Sequence, residues 1–210
     1  MSISGDFASG GVRIEPVTRG PGETPEELYA RAAGRLRLPP TAEWGTFPFD
    51  GDLRVRPLEP PLAEEPPRHG EGGVGCRRCA LPDDAYLWTS ENWRLAALQK
   101  PSGLPVVVLL ETRAHCDFGD LPHALAEELG PLLLRVERAV QAVGGIGRVH
   151  VCRWGDGSEH LHWWFLARPA RLTQLVGSFS AIWDDILPPL PEERWRANMA
   201  AVSAAMASGD

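Results

Sequence analysis

Residues 1–75 carry so much glycine and proline, including PLEPPLAEEPP at 57–67 and HGEGGVG at 69–75, that neither a continuous helix nor a central strand can run through them. This composition predicts a wrapping or linking extension over 1–75, with the folded core beginning near Cys76. Two stretches inside the extension stand apart. Thr24-Pro25-Glu26-Glu27 supplies an N-cap, a first-turn proline and two acids suited to a helix dipole, which predicts a short helix from Pro25 to about Leu36. Trp44, Phe47, Phe49 and Leu53 are too apolar for a free tail, so the segment 44–58 is expected to pack on the core.

From Cys76 onward the pattern is that of an α+β unit. Ala85–Thr89 and Trp93–Leu98 read as short strands, and the β-branched run Leu104–Glu111 as a central one. Beyond Asp120-Leu-Pro-His, the residues Leu125, Leu129, Leu132, Leu133, Val136, Val140 and Val143 recur at spacings of three and four before Gly144-Gly145. That periodicity predicts an amphipathic helix of roughly 22 residues. Ile146–Trp154 and Leu161–Arg168 supply two more strands around the turn Gly155-Asp-Gly-Ser158, and helices are expected over Leu172–Leu187 and Glu192–Met206. The organisation expected is an extension (1–75), a sheet-containing unit (76–169) and a C-terminal helical segment (170–210).

The formal charge of −7 and the absence of Lys/Arg runs argue against a grip on a nucleic-acid polymer, which needs clustered cations. A small phosphorylated ligand stays compatible with that balance. The opening MSISGDFASGG has no basic segment followed by an apolar one, and no apolar run approaches the roughly 20 residues of a membrane span, so a cytoplasmic protein is expected. In that compartment, Cys76-Arg-Arg-Cys79 reads as a metal or redox pair rather than part of a disulfide framework. Gly75 before the pair and Ala80-Leu-Pro82 after it predict a knuckle-like turn rather than the helix start that a redox pair requires.

Histidines complete the picture. His115 follows the run Leu104–Glu111, where a side chain either points into a site or faces solvent. In His160-Leu-His162-Trp-Trp164 the alternation of a strand puts His160, His162 and Trp164 on one face and Leu161, Trp163 and Phe165 on the other. Trp44, Trp88, Trp93 and Trp154 are candidates for a pocket wall as well as for packing. His69, in the extension, and His123, in the first turn of the long helix, read as solvent-exposed, and His150 with Cys152 as a half-buried structural pair.

A C-x-x-C pair, a strand ending in histidine, an amphipathic helix and a strand bearing His-φ-His, in that order, resemble the histidine-triad superfamily, including its galactose-1-phosphate uridylyltransferase branch. The resemblance implies an antiparallel sheet with one long helix, and a structural zinc ion held by Cys76, Cys79, His115 and His160. It also implies that His162 is a nucleophile forming a nucleotidyl-histidine from a nucleotide conjugate, as a transferase or hydrolase does. A homodimer through the long helix and an adjacent strand belongs to the same expectation; the competing one is that the C-terminal helices or segment 44–58 cover the apolar surface at Leu129, Leu132, Leu133 and Val136.

The chain departs from the family pattern in three places. The third triad position is Trp164, whose indole donates one hydrogen bond and cannot shuttle a proton. The loop before the triad, Arg153-Trp-Gly-Asp-Gly-Ser-Glu159, is short and acidic. Ser158 stands two residues before His160, one closer than the family's hydroxyl. Ser158, Arg153 and Trp164 are the substrate-binding candidates that remain, with Arg148 and Arg168 as further cations able to offset Asp156 and Glu159. The alternative reading is a silent, zinc-stabilised ligand-binding protein on the same scaffold.

Overall fold

The computed structural model describes residues 22–209; the expectation drawn from MSISGDFASGG lies outside them. The chain divides into two compact units, one of the described residues up to Arg37 with Arg54–Ala63, the other of Leu38–Leu53 with Glu64 onward.

In the first unit, helix α1 spans Pro25–Ala32. Its start is set by a reciprocal cap: the Glu27 amide donates to Thr24 Oγ1 at 3.2 Å and the Thr24 amide to the Glu27 carboxylate at 2.8 Å. The helix stops four residues short of the expected Leu36. It buries no residue, so local capping rather than packing defines it.

The second unit holds a five-stranded antiparallel sheet in the order β1-β2-β3-β5-β4. The strands are β1 (Trp88–Thr89), β2 (Trp93–Ala97), β3 (Val107–Thr112), β4 (Ile146–Cys152) and β5 (His162–Pro169). All six residues of β3 are buried, as its central place demands. The strand expected from Ala85 is shorter, because Asp83–Ala85 closes a 3-10 turn in which the Asp83 carboxylate holds Arg94 at 3.1 Å and Arg113 at 2.6 Å.

One sheet face carries helix α3 (His123–Gln141), which is 19 residues long. Its stripe of Leu129, Leu132, Val136 and Val140 meets Leu95, Val108, Leu110 and Phe165. Each such side chain contributes about 1.5–3 kcal/mol of apolar burial. The second cover is α5 (Glu192–Ser208), whose Met199, Val202 and Met206 join the same core. The C-terminal helix therefore packs on α3 within one chain, as one of the two expectations for this surface had it.

The opposite face is partly closed by α4 (Ser180–Ile186), with Leu104, Val107, Leu166 and Leu175 as a smaller core. The helix expected from Leu172 begins only at Ser180. Arg171 turns the chain through a positive φ of 66°. Gly177 then lies so close over the His150 ring that a Cβ would stand 2.6 Å from Nδ1, so only glycine fits there. Segment 38–53 belongs to this unit, where Phe47 meets Phe179 edge-on at 5.2 Å and Thr46 O accepts from Trp183 Nε1 at 3.2 Å. Trp44 remains half exposed. Among the described residues, no helix is long and apolar enough to cross a membrane.

Candidate metal centre and the adjacent histidine

Cys76 caps α2 (Arg77–Ala80), a single helical turn closed by Leu81 N donating to Arg78 O at 3.3 Å. The pair is thus presented by a helical turn, where a knuckle without helix was expected. Four residues suffice for that turn, and the extended Leu81 before Pro82 stops it. Gly70, at φ 78°, is packed so tightly on Cys76 that a Cβ would lie 3.1 Å from the cysteine's own. Cys76 is buried and Cys79 exposed.

Two histidines complete the cluster from the sheet. His115 follows the end of β3, and His160 precedes β5 with 1% exposure. His160 Nε2 lies 2.7 Å from Thr112 O, and because a carbonyl only accepts, that nitrogen carries the proton. Nδ1 is left with its lone pair, 3.4 Å from Cys76 Sγ and 3.5 Å from Cys79 Sγ. His115 Nδ1 lies 3.6 Å from Cys79 Sγ. All four donor atoms fall within 4.8 Å of one another.

These separations fit a tetrahedral ion. With Zn–S near 2.3 Å and Zn–N near 2.0–2.1 Å, the sulfur-to-nitrogen edge of the tetrahedron is about 3.5 Å. Protonation points the same way. Desolvation, reinforced by the neighbouring Cys76, pushes the Cys79 thiol up to about 11, so this sulfur becomes a thiolate at neutral pH only beside a cation. Burial lowers His160 below the ordinary imidazole range and keeps it neutral, as a ligand must be.

A layer of polar groups surrounds the ligands. The Glu159 carboxylate stands 3.7 Å from His115 Nε2 and accepts from Gly72 N. His69 contributes only backbone: its amide donates to Gly157 O and its carbonyl accepts from Glu159 N, both at 3.2 Å. The Gly/Pro-rich stretch before Cys76 is thereby tied to the loop that delivers His160.

His162 opens β5. Its Nδ1 lies 2.7 Å from His160 O, so Nδ1 bears the proton and Nε2 keeps a free lone pair. Trp164 shares its face, with ring centroids 6.1 Å apart, and Trp154 stacks at a tilt on Trp164 at 5.7 Å. On the other side Glu111 is the register partner of both His162 and Arg94. Glu111 is fully buried, 3.1 Å from Arg78 Nε, with Tyr86 Oη at 3.5 Å. Burial outweighs these partners and raises its carboxyl to about 7.

The remaining candidates are engaged elsewhere. Arg153 pairs with Asp117 and lies over the Phe118 ring, while Arg68 takes the second Asp117 oxygen at 2.7 Å. Against the upward push of burial, Arg68, the Phe118 amide and Arg153 hold Asp117 below its usual range. Ser158 is half-buried and bridges to His69. Arg148 and Arg168 donate to backbone carbonyls, and His123 is exposed beside Glu127. Of the tryptophans, Trp88 and Trp93 line one cavity of about 400 Å³ and Trp154 another. Thr112 O, Glu159, Glu111 and Gly70 were not anticipated. The one available signal was Glu111 itself, an acid closing an apolar run whose central position forces it inward.

Fold and site together define an α+β protein with a cluster of two cysteines and two histidines at the ends of two inner strands of an antiparallel sheet. No family model and no curated protein matches the chain. Among solved structures it is similar to a hypothetical histidine-triad nucleotide-binding protein from Sulfolobus tokodaii, at 12% identity and a TM-score of 0.47 over 63% of this chain and 93% of that one. A zinc-bound histidine-triad family protein from Mycobacterium smegmatis is similar at 19% identity and a TM-score of 0.45, over 63% and 95%. A uridylyltransferase mutant is similar at 14% and 0.42, over 64% of this chain and 47% of that one.

Proposed function

We propose that the chain holds a structural zinc ion through Cys76, Cys79, His115 and His160 and uses His162 to transfer or hydrolyse the nucleotidyl group of a nucleoside phosphate conjugate. The observation that carries this reading is the pair of opposed tautomers. The carbonyl of Thr112 turns the His160 lone pair towards the thiols, and the carbonyl of His160 leaves the His162 lone pair free on Nε2. Four donors fill a tetrahedral ion and leave no open position, so the metal supplies rigidity and the imidazole the chemistry.

In the reaction, the Nε2 lone pair attacks the α-phosphorus while the bond to the leaving oxygen breaks and its electron pair departs with that oxygen. Water, whose proton passes to solvent, or a second phosphate then attacks the same phosphorus, and the P–N bond breaks with its electron pair returning to Nε2 to restore His162. Nδ1 keeps its proton on His160 O throughout. Trp164 offers the leaving oxygen no acid, so leaving groups stable as anions are favoured.

Two observations favour the silent binding reading: Arg153 is neutralised by Asp117, and Trp164 stands where a proton donor would serve. Incubation with α-labelled nucleotides and dinucleoside polyphosphates, with zinc measured on the same samples, separates the two. An acid-labile label on His162, lost in His162→Ala with zinc content intact, is the expected result. Wild-type turnover by His162→Ala would overturn the nucleophile, and protein purified without chelator yet free of zinc would overturn the metal.

A further inference from the structure

The sheet face that carries His162 continues, one strand further out, into a cavity of about 480 Å³ between β4 and the start of α4. Register fixes this relation: Cys152 pairs with Trp164 and His150 with Leu166, so all four side chains lie on the face of His162. The rings of Trp164 and Trp154 join the two places in steps of 6.1 and 5.7 Å, and Trp154 itself lines the cavity with 43% of its surface exposed. We propose that this cavity binds a planar nucleobase carried by the leaving group, a site that rests on the reading of His162 as nucleophile and extends it to the departing half of the substrate.

The lining selects that ligand. Trp154, Phe179 and Ile182 present apolar and aromatic surface, on which a flat ring stacks. Burial, with Arg168 nearby, lowers His150, and burial raises the Cys152 thiol, so neither carries charge at neutral pH. With no cation in the lining, the cavity takes the base and leaves the phosphates nearer His162. Gly177 leaves room for the His150 ring where any Cβ would collide with it, and the volume lies within the range of small-molecule sites. The arrangement also agrees with the chemistry at Trp164: a polyphosphate departs as an anion and needs no proton from the protein.

Hydrogen exchange on zinc-loaded, full-length His162→Ala tests the site, with diadenosine tetraphosphate and adenosine 5′-tetraphosphate as probes. These share the α-phosphorus and differ in the distal base. Protection of 149–154 and 177–182 by the first probe but not the second is expected. Equal protection by both, or by neither, would overturn the proposal. So would protection without ligand that grows with protein concentration, since a second copy of the chain would then cover the cavity. In the otherwise wild-type enzyme, Ile182→Arg should lower the ratio of kcat/KM for the two compounds at least about tenfold, and an unchanged ratio counts against the site. Absence of turnover on both compounds would sink the nucleophile reading while the exchange result still decides the cavity.

Discussion

Replacing Glu111 with glutamine should change how stability depends on pH, by an amount fixed by the burial of this side chain. The carboxyl is fully buried and shifts from 4.5 to about 7. At about 1.4 kcal/mol per pH unit, ionising it inside the fold costs about 3 kcal/mol. The sign follows from the raised value. The stabilising contribution is complete below the unfolded value of 4.5 and is lost as pH rises through about 7, because the native state then gives up a proton it held more tightly than the unfolded chain. Glutamine keeps the shape and an oxygen for Tyr86 Oη, and the Arg78 it leaves is one-third exposed and free to hydrate. Urea denaturation of both zinc-loaded proteins between about pH 5 and pH 8 gives the comparison, since subtracting the curves removes titrations they share, those of the ligands included. The variant should gain on the wild type by up to about 3 kcal/mol across that range. A wild type that instead gains on the variant as pH rises would mean that Arg78 and Arg94 stabilise the carboxylate more than burial penalises it, and the reasoning would be wrong.

Gly70→Ala forces a left-handed backbone on a residue with a Cβ pressed against Cys76, so a loss of about 1–2 kcal/mol is expected from the conformation alone; a melting curve identical to wild type would refute it. Glu159→Gln removes the carboxylate that faces His115 Nε2 and should weaken zinc about 10-fold or more in competition with a chelator, whereas undiminished affinity would make Glu159 a loop residue only. Trp164→His or Trp164→Gln should raise turnover of substrates with poor leaving groups relative to good ones, measured as a ratio of kcat/KM, and a falling ratio would contradict the part assigned to Trp164.

The sheet was legible where the chain repeats a simple period. The alternation in His160–Phe165 gave the correct faces for Trp163, Phe165, His162 and Trp164, and the spacing of Leu129, Leu132, Val136 and Val140 gave α3. Elements ruled by single contacts were not. The stretch before Ser180 follows the left-handed turn at Arg171, and the 3-10 turn at Asp83–Ala85 follows ion pairs to Arg94 and Arg113, none of which has a periodic signature. The same division holds at the candidate site. The order of motifs, through the family resemblance it carries, named four donors that the fold gathers within 4.8 Å. The carbonyls that set the tautomers of His160 and His162 belong to the backbone, whose hydrogen bonds leave no mark in side-chain order.

The donors of this cluster are far apart in synthesis as well as in sequence. Cys79 and His160 are 81 residues apart. At about 5–20 residues per second, the two thiols emerge some 4 to 16 s before the last histidine that would help hold an ion. During that interval Cys76 and Cys79 form an incomplete chelate on an unfinished sheet, exposed to oxidants and to metals that prefer two sulfurs to a mixed set. Metal choice in the living cell would then be made twice, first by a pair of thiols and then by the finished tetrahedron, with correction possible only while the β5 strand has yet to close the sheet.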